Sequence, residues 1–100
     1  MNQHRNYHYS ITIQTHDEAV LHCLRALSQY AQIDGNKRIP WGGTKKQDWE
    51  LDDHKATFHF SRTEYRNNFT KETKRLLPEN LFKIEKTSDN DPAQPQNSEW

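Results

Sequence analysis

A chain of 100 residues has the length for one domain with one modest core, and only 31% of its residues are hydrophobic, at a mean hydropathy of −1.26. Basic and acidic side chains balance at 14 each, which argues against a general polyanion binder and leaves only local basic patches to consider. The single Cys23 excludes an intramolecular disulfide and a cysteine-based zinc cluster.

No apolar run approaches the roughly 18 residues of a membrane span, and no signal-peptide core is present. The expectation is a cytoplasmic protein without membrane partner, metal or cofactor. Aromatic residues make up 11% of the chain and fall in periodic segments, so wholesale disorder is not expected.

Residues 7–14, YHYSITIQ, alternate strictly. Tyr7, Tyr9, Ile11 and Ile13 share one face, and His8, Ser10, Thr12 and Gln14 the other, which predicts a half-buried strand. Thr15 followed three residues later by Glu18 reads as a capping box at a helix start. The helix then places Val20, Leu24, Leu27 and Ala31 in one apolar stripe, with Cys23 and Tyr30 flanking it and Gly35 as the stop. Cys23 reads as a small core residue.

Trp49 and Leu51 alternate with Asp48 and Glu50, which predicts a short strand, and Asp52 and Asp53 supply a turn. HKATFHF (54–60) predicts a second alternating strand with Ala56, Phe58 and Phe60 inward, pairing with the first as a hairpin. The strand-cap pattern then repeats. Ser61 and Glu64 form a second capping box, Tyr65, Phe69, Leu76 and Leu77 line a helix, and Pro78 ends it. NLFKIEK (80–86) is the last predicted strand, with Phe82 and Ile84 inward.

The order β-α-β-β-α-β is that of a ferredoxin-like α+β fold, in which two helices pack on one face of a four-stranded antiparallel sheet. Residues 1–87 form the expected domain. Residues 88–100 read as a disordered polar tail, with Trp100 as a residue able to dock elsewhere.

Helices on one face leave the other face of the sheet open, carrying His8, Ser10, Thr12, Lys55, Thr57 and His59. HYS (8–10) and HFS (59–61) are both His-x-Ser. Phosphoesterases with two such motifs use one imidazole as base and the other as acid while the hydroxyls hold the phosphate. Those enzymes are about twice this size, the tripeptide is common by chance, and Ser61 has a capping role, so no residue is assigned as catalytic. Were there an enzyme, its candidates are His8, Ser10 and His59. An RNA-stacking face is not indicated, because Tyr7, Tyr9, Phe58 and Phe60 are in phase with the core.

IPWGGTKKQDW (39–49) is the second candidate surface. Lys37, Arg38, Lys45 and Lys46 flank Trp41, Gly42 and Gly43, the glycines permit close approach to a ligand, and Trp41 suits stacking or insertion. Arg62 and Arg66 on the second helix would extend a basic patch if the loop folds toward them. His4 and His8 lack the helical spacing of a metal pair, and His16 and His22 read as helix-start and helix-surface residues.

The sequence therefore points to a binding domain. The first expectation is a protein partner or homodimer, contacting His8, Thr12, Thr57 and His59 and the Trp-Gly-Gly loop. Nucleic acid on the loop and second helix is the second, and the two-histidine phosphoesterase the third.

Overall fold

The computed structural model describes residues 3–94. Strand β1 (Tyr9–Gln14) leads to helix α1 (Glu18–Ala31), a short helix α2 (Lys46–Leu51), strand β2 (Lys55–Phe60), helix α3 (Thr63–Leu76) and strand β3 (Lys83–Ser88). The fold is α+β: three helices with a three-stranded sheet in the order β2-β1-β3. Both neighbours run antiparallel to β1, with Ile11 opposite Phe58 and Ile13 opposite both Ala56 and Ile84.

The expected four-stranded, ferredoxin-like sheet is thus not seen. The predicted strand around Trp49 is helix α2, and the sheet ends at β2 on that side. Two alternating apolar residues cannot by themselves distinguish the periods. The helix separates them: Trp49 is buried, with its indole N–H donating to the Thr15 carbonyl at 2.8 Å, while Leu51 is 88% exposed. Lys, Gln, Glu and Leu are all good helix formers. The two-aspartate turn survives as the link from α2 to β2, where Asp53 and His54 both adopt left-handed backbone angles, φ 54° and 59°.

The apolar face of the sheet is as the alternation predicts. Ile11, Ile13, Ala56, Phe58 and Phe60 are buried beneath Leu21 and Leu24 of α1 and Phe69 of α3. The Phe69 ring lies 5.1 Å from that of Phe58 and 5.2 Å from that of Phe60, tilted on each, an arrangement aromatic pairs favour. Cys23 is exposed rather than in this core, and Leu76 is exposed as well.

Neither predicted capping box forms. Asp17 caps α1 by accepting the Ala19 N–H at 2.9 Å, while the Thr15 hydroxyl donates to the Leu81 carbonyl at 2.7 Å. Ser61 is taken by the buried Gln32, whose amide nitrogen donates to the Ser61 hydroxyl at 2.7 Å and whose oxygen accepts the Ser61 backbone N–H at 3.2 Å. At α3 a long-range partner won over the local cap, whereas at α1 the neighbouring Asp17 took the capping role.

Past β3 the chain does not become a free tail at residue 88. It bends at 89–90 and runs on beside the residues that precede β1, where the Asp91 and Ala93 N–H groups donate to the His8 and Tyr7 carbonyls at 2.9 and 3.0 Å. Ala93 is buried with Tyr7 and Ile39 in a second small cluster. The remainder of the expected tail, Trp100 included, lies outside the described residues.

Candidate functional site

Loop 36–45 wraps around the outer edge of β2, and its side chains divide between the two faces of the sheet. Trp41 packs against the main core with the Arg25 guanidinium 4.6 Å above its ring, while Ile39 enters the Tyr7–Ala93 cluster. Gly43 has φ +76°, a conformation that glycine adopts without strain. Local bonds shape the turn, from Gly42 N–H to Ile39 carbonyl at 3.1 Å and from Thr44 N–H to Trp41 carbonyl at 3.2 Å.

A backbone bond fastens the loop to the sheet: the His59 N–H donates outward to the Pro40 carbonyl at 3.1 Å. N–H groups on one edge of a strand recur every second residue. The next such position, Lys55 after Thr57, already donates to the Asp52 carbonyl at 3.0 Å. Two of the three outward positions of β2 are therefore closed by the chain itself, which blunts this edge against adding another strand.

Gly42 and Gly43 consequently line the same cleft as Thr57 and His59, a hollow of about 290 Å3 on the polar side of the sheet. Asp48, Asp52 and Lys55 supply its charges. An adjoining hollow of about 270 Å3 continues past Thr12 to Glu85 and Lys86. At the centre, the Thr12 and Thr57 hydroxyls bond across the strands at 2.8 Å. Thr12 and Ser10 are buried, so this face is less open than its polar sequence suggests.

The returning segment 89–94 accounts for both histidines. The Asp89 carbonyl lies 2.7 Å from His8 Nδ1, and because a carbonyl only accepts, that nitrogen carries the proton. His59 Nε2 lies 3.4 Å from Asp91 Oδ2. Burial pushes the His59 imidazole below its ordinary value of 6.5, and Asp91 opposes that shift without reversing it. A neutral, carboxylate-oriented imidazole on a cleft wall has acid–base capacity. No hydroxyl of a His-x-Ser pair completes it, since Ser10 is buried and Ser61 is held by Gln32.

The cations of the loop do not converge on this cleft. Lys46 pairs with Glu18 at 3.6 Å, Lys37 lines a separate groove between α1 and α3, and exposed Arg38 has its backbone N–H on the Asn36 side chain at 2.9 Å. Lys45 is half-buried at the start of α2. Arg62, at the N-cap of α3, lies 5.9 Å over the Tyr65 ring, and Arg66 of α3 reaches the Ser88 carbonyl at 3.0 Å and Asp89 Oδ1 at 2.6 Å. Sequence reasoning missed Asp89, Asp91 and Ala93, which lie in the stretch read as tail. Their only signal was an acidic, small-residue composition that carries no period.

Among the described residues, no group of three His, Cys, Asp or Glu side chains is placed to hold a metal ion, and no helix is long and apolar enough to cross a membrane. Compared with family models, with curated proteins and with solved structures, the chain matches none.

Proposed function

We propose that this chain is a non-catalytic binding domain whose recognition surface is the polar sheet face where the Trp-Gly-Gly loop meets β2, and whose occupant is a protein partner or a second copy of the chain. The observation that carries this reading is the His59–Pro40 bond. It merges the two surfaces suggested by the sequence into one, with Gly42 and Gly43 beside Thr57 and His59. The self-closed β2 edge favours recognition through side chains over strand addition. The exposed Cys23 suits a reducing compartment such as the cytoplasm.

Nucleic acid draws less support. The cleft carries Asp48 and Asp52 against Lys55, and Lys46 and Arg66 are each in ion pairs, whereas phosphate binding needs clustered, available cations. The phosphoesterase reading lacks its hydroxyls at the cleft.

Light scattering across a concentration series tests the proposal, together with partner capture by the unaltered chain, by Thr57→Arg and by Lys55→Glu. A dimer dissociated by either substitution supports self-association. A monomer that retains one defined protein, lost with either substitution, supports a separate partner. A monomer that captures nothing, or an assembly indifferent to both substitutions, overturns the reading.

A further inference from the structure

A second groove lies on the opposite side of the molecule, between the end of α1 and α3. It has a volume of about 530 Å3 and is walled by Leu27, Tyr30, Ala31 and Ile33 on one side and by Asn68 and Glu72 on the other, with Lys37 and Lys71 as its charged rim. Tyr30 and Ile33 are 76% and 62% exposed. Large apolar side chains gathered at that exposure around a groove mark an interaction surface rather than the scattered apolar residues of any protein surface. Asn68, Glu72 and Leu76 stand four residues apart on α3, so the 51%-exposed Leu76 extends the same stripe.

Charge selects the occupant. The Glu72 carboxylate is engaged by Arg75, with Nη2–Oε1 at 2.7 Å and Nε–Oε2 at 3.2 Å. The lining sets Lys37 and Lys71 against this one carboxylate, two cations minus one anion, a charge of +1, and Arg75 just outside it pairs with the same carboxylate. The whole chain is neutral, so this is a local concentration of positive charge around apolar walls.

We propose that the α1–α3 groove docks an acidic amphipathic segment of a protein partner, whose apolar side chains enter against Leu27, Tyr30 and Ile33 while its carboxylates meet Lys37 and Lys71. Apolar anchors supply affinity, and rim charges set specificity and encounter rate. With one aromatic ring, Tyr30, among walls otherwise aliphatic, the groove fits leucine- or phenylalanine-like side chains better than a run of bases, which needs successive aromatic platforms. The surface is distinct from the sheet-face cleft and does not depend on it.

Selection from a random-peptide display library on the full chain tests the assignment, followed by fluorescence anisotropy of the enriched peptides and of an oligo-dT strand. Enriched peptides are expected to combine apolar residues with acidic flanks. Affinity is expected to fall about tenfold or more in Lys37→Glu/Lys71→Glu and in Ile33→Ser, with unchanged circular dichroism, while Thr57→Arg leaves it intact. Absence of enrichment, enrichment of basic or neutral peptides, or equal binding by the charge-reversed variant overturns it. So does tight oligo-dT binding that the peptides do not displace.

Discussion

On the polar sheet face, His8 and His59 each hold a group of the segment 89–91, which Arg66 of α3 also holds through Asp89, and Thr12 and Thr57 hold each other. In the α1–α3 groove, Tyr30 and Ile33 stand exposed with Lys37 and Lys71 on the rim. The first surface is held by pairs 23 to 81 positions apart, several of them hydrogen bonds of the chain to itself. The second comes almost ready-made from two helix faces and the turn after α1. A polar group withdrawn from water must find a partner, so the sheet face folds its own strap over itself. Apolar side chains carry no such obligation, and their exposure signals a surface awaiting contact.

The largest test of this contrast is Gly35→Ala. Gly35 has φ +77°, and an added Cβ would clash with the Tyr7 hydroxyl, which accepts the Asn36 N–H at 2.7 Å. A loss of about 1–3 kcal/mol is expected by urea denaturation, because Tyr7 also anchors Ala93 and Ile39. No loss would mean that this cluster does not fasten the strap. Arg66→Ala should cost about 1–2 kcal/mol and speed hydrogen exchange at the Asp91 and Ala93 amides ahead of the β1 core. Uniform exchange would show that segment 89–94 is part of one cooperative unit.

Acid offers a smaller effect with a definite sign. The folded His59 titrates below its unfolded value, so its contribution to stability is full above about pH 6.5 and is lost as pH falls through the folded value. The difference in stability between the unaltered chain and His59→Gln should therefore shift in favour of the variant on acidification below that pH. A pH-independent difference would place His59 in solvent. The smallest effect belongs to the other surface. Ile33→Ser should move stability by no more than about 0.5 kcal/mol, and a larger loss would show that the groove is core rather than docking surface.

The legible and illegible parts of this chain divide along similar lines. The alternation in 9–14 and 55–60, and the placement of Val20, Leu24, Tyr65 and Phe69 in the core, were readable, because burial of one face imposes a period on the residues themselves. Helix α2 was not readable: Trp49 and Leu51 are too few to define a period, and the indole's partner, the Thr15 carbonyl, lies 34 positions away. The caps failed for a related reason, as Ser61 fits a local pattern but is bonded to Gln32. For the candidate site, Gly42, Gly43, Thr57 and His59 were nameable from sequence, but their meeting was not.

The sequence by itself determined an α+β class, the inward face of two strands and two helices, and the residue types available for recognition. These follow from local periodicity, which each segment carries alone. Only the tertiary structure decided that the sheet stops at three strands, that Pro40 joins the loop to β2, that residues 89–94 return over the histidines, and that Lys37 leaves its neighbours for the α1–α3 groove. Each of those depends on a hydrogen bond or contact between distant positions, and no local pattern records which distant partner a polar group will find.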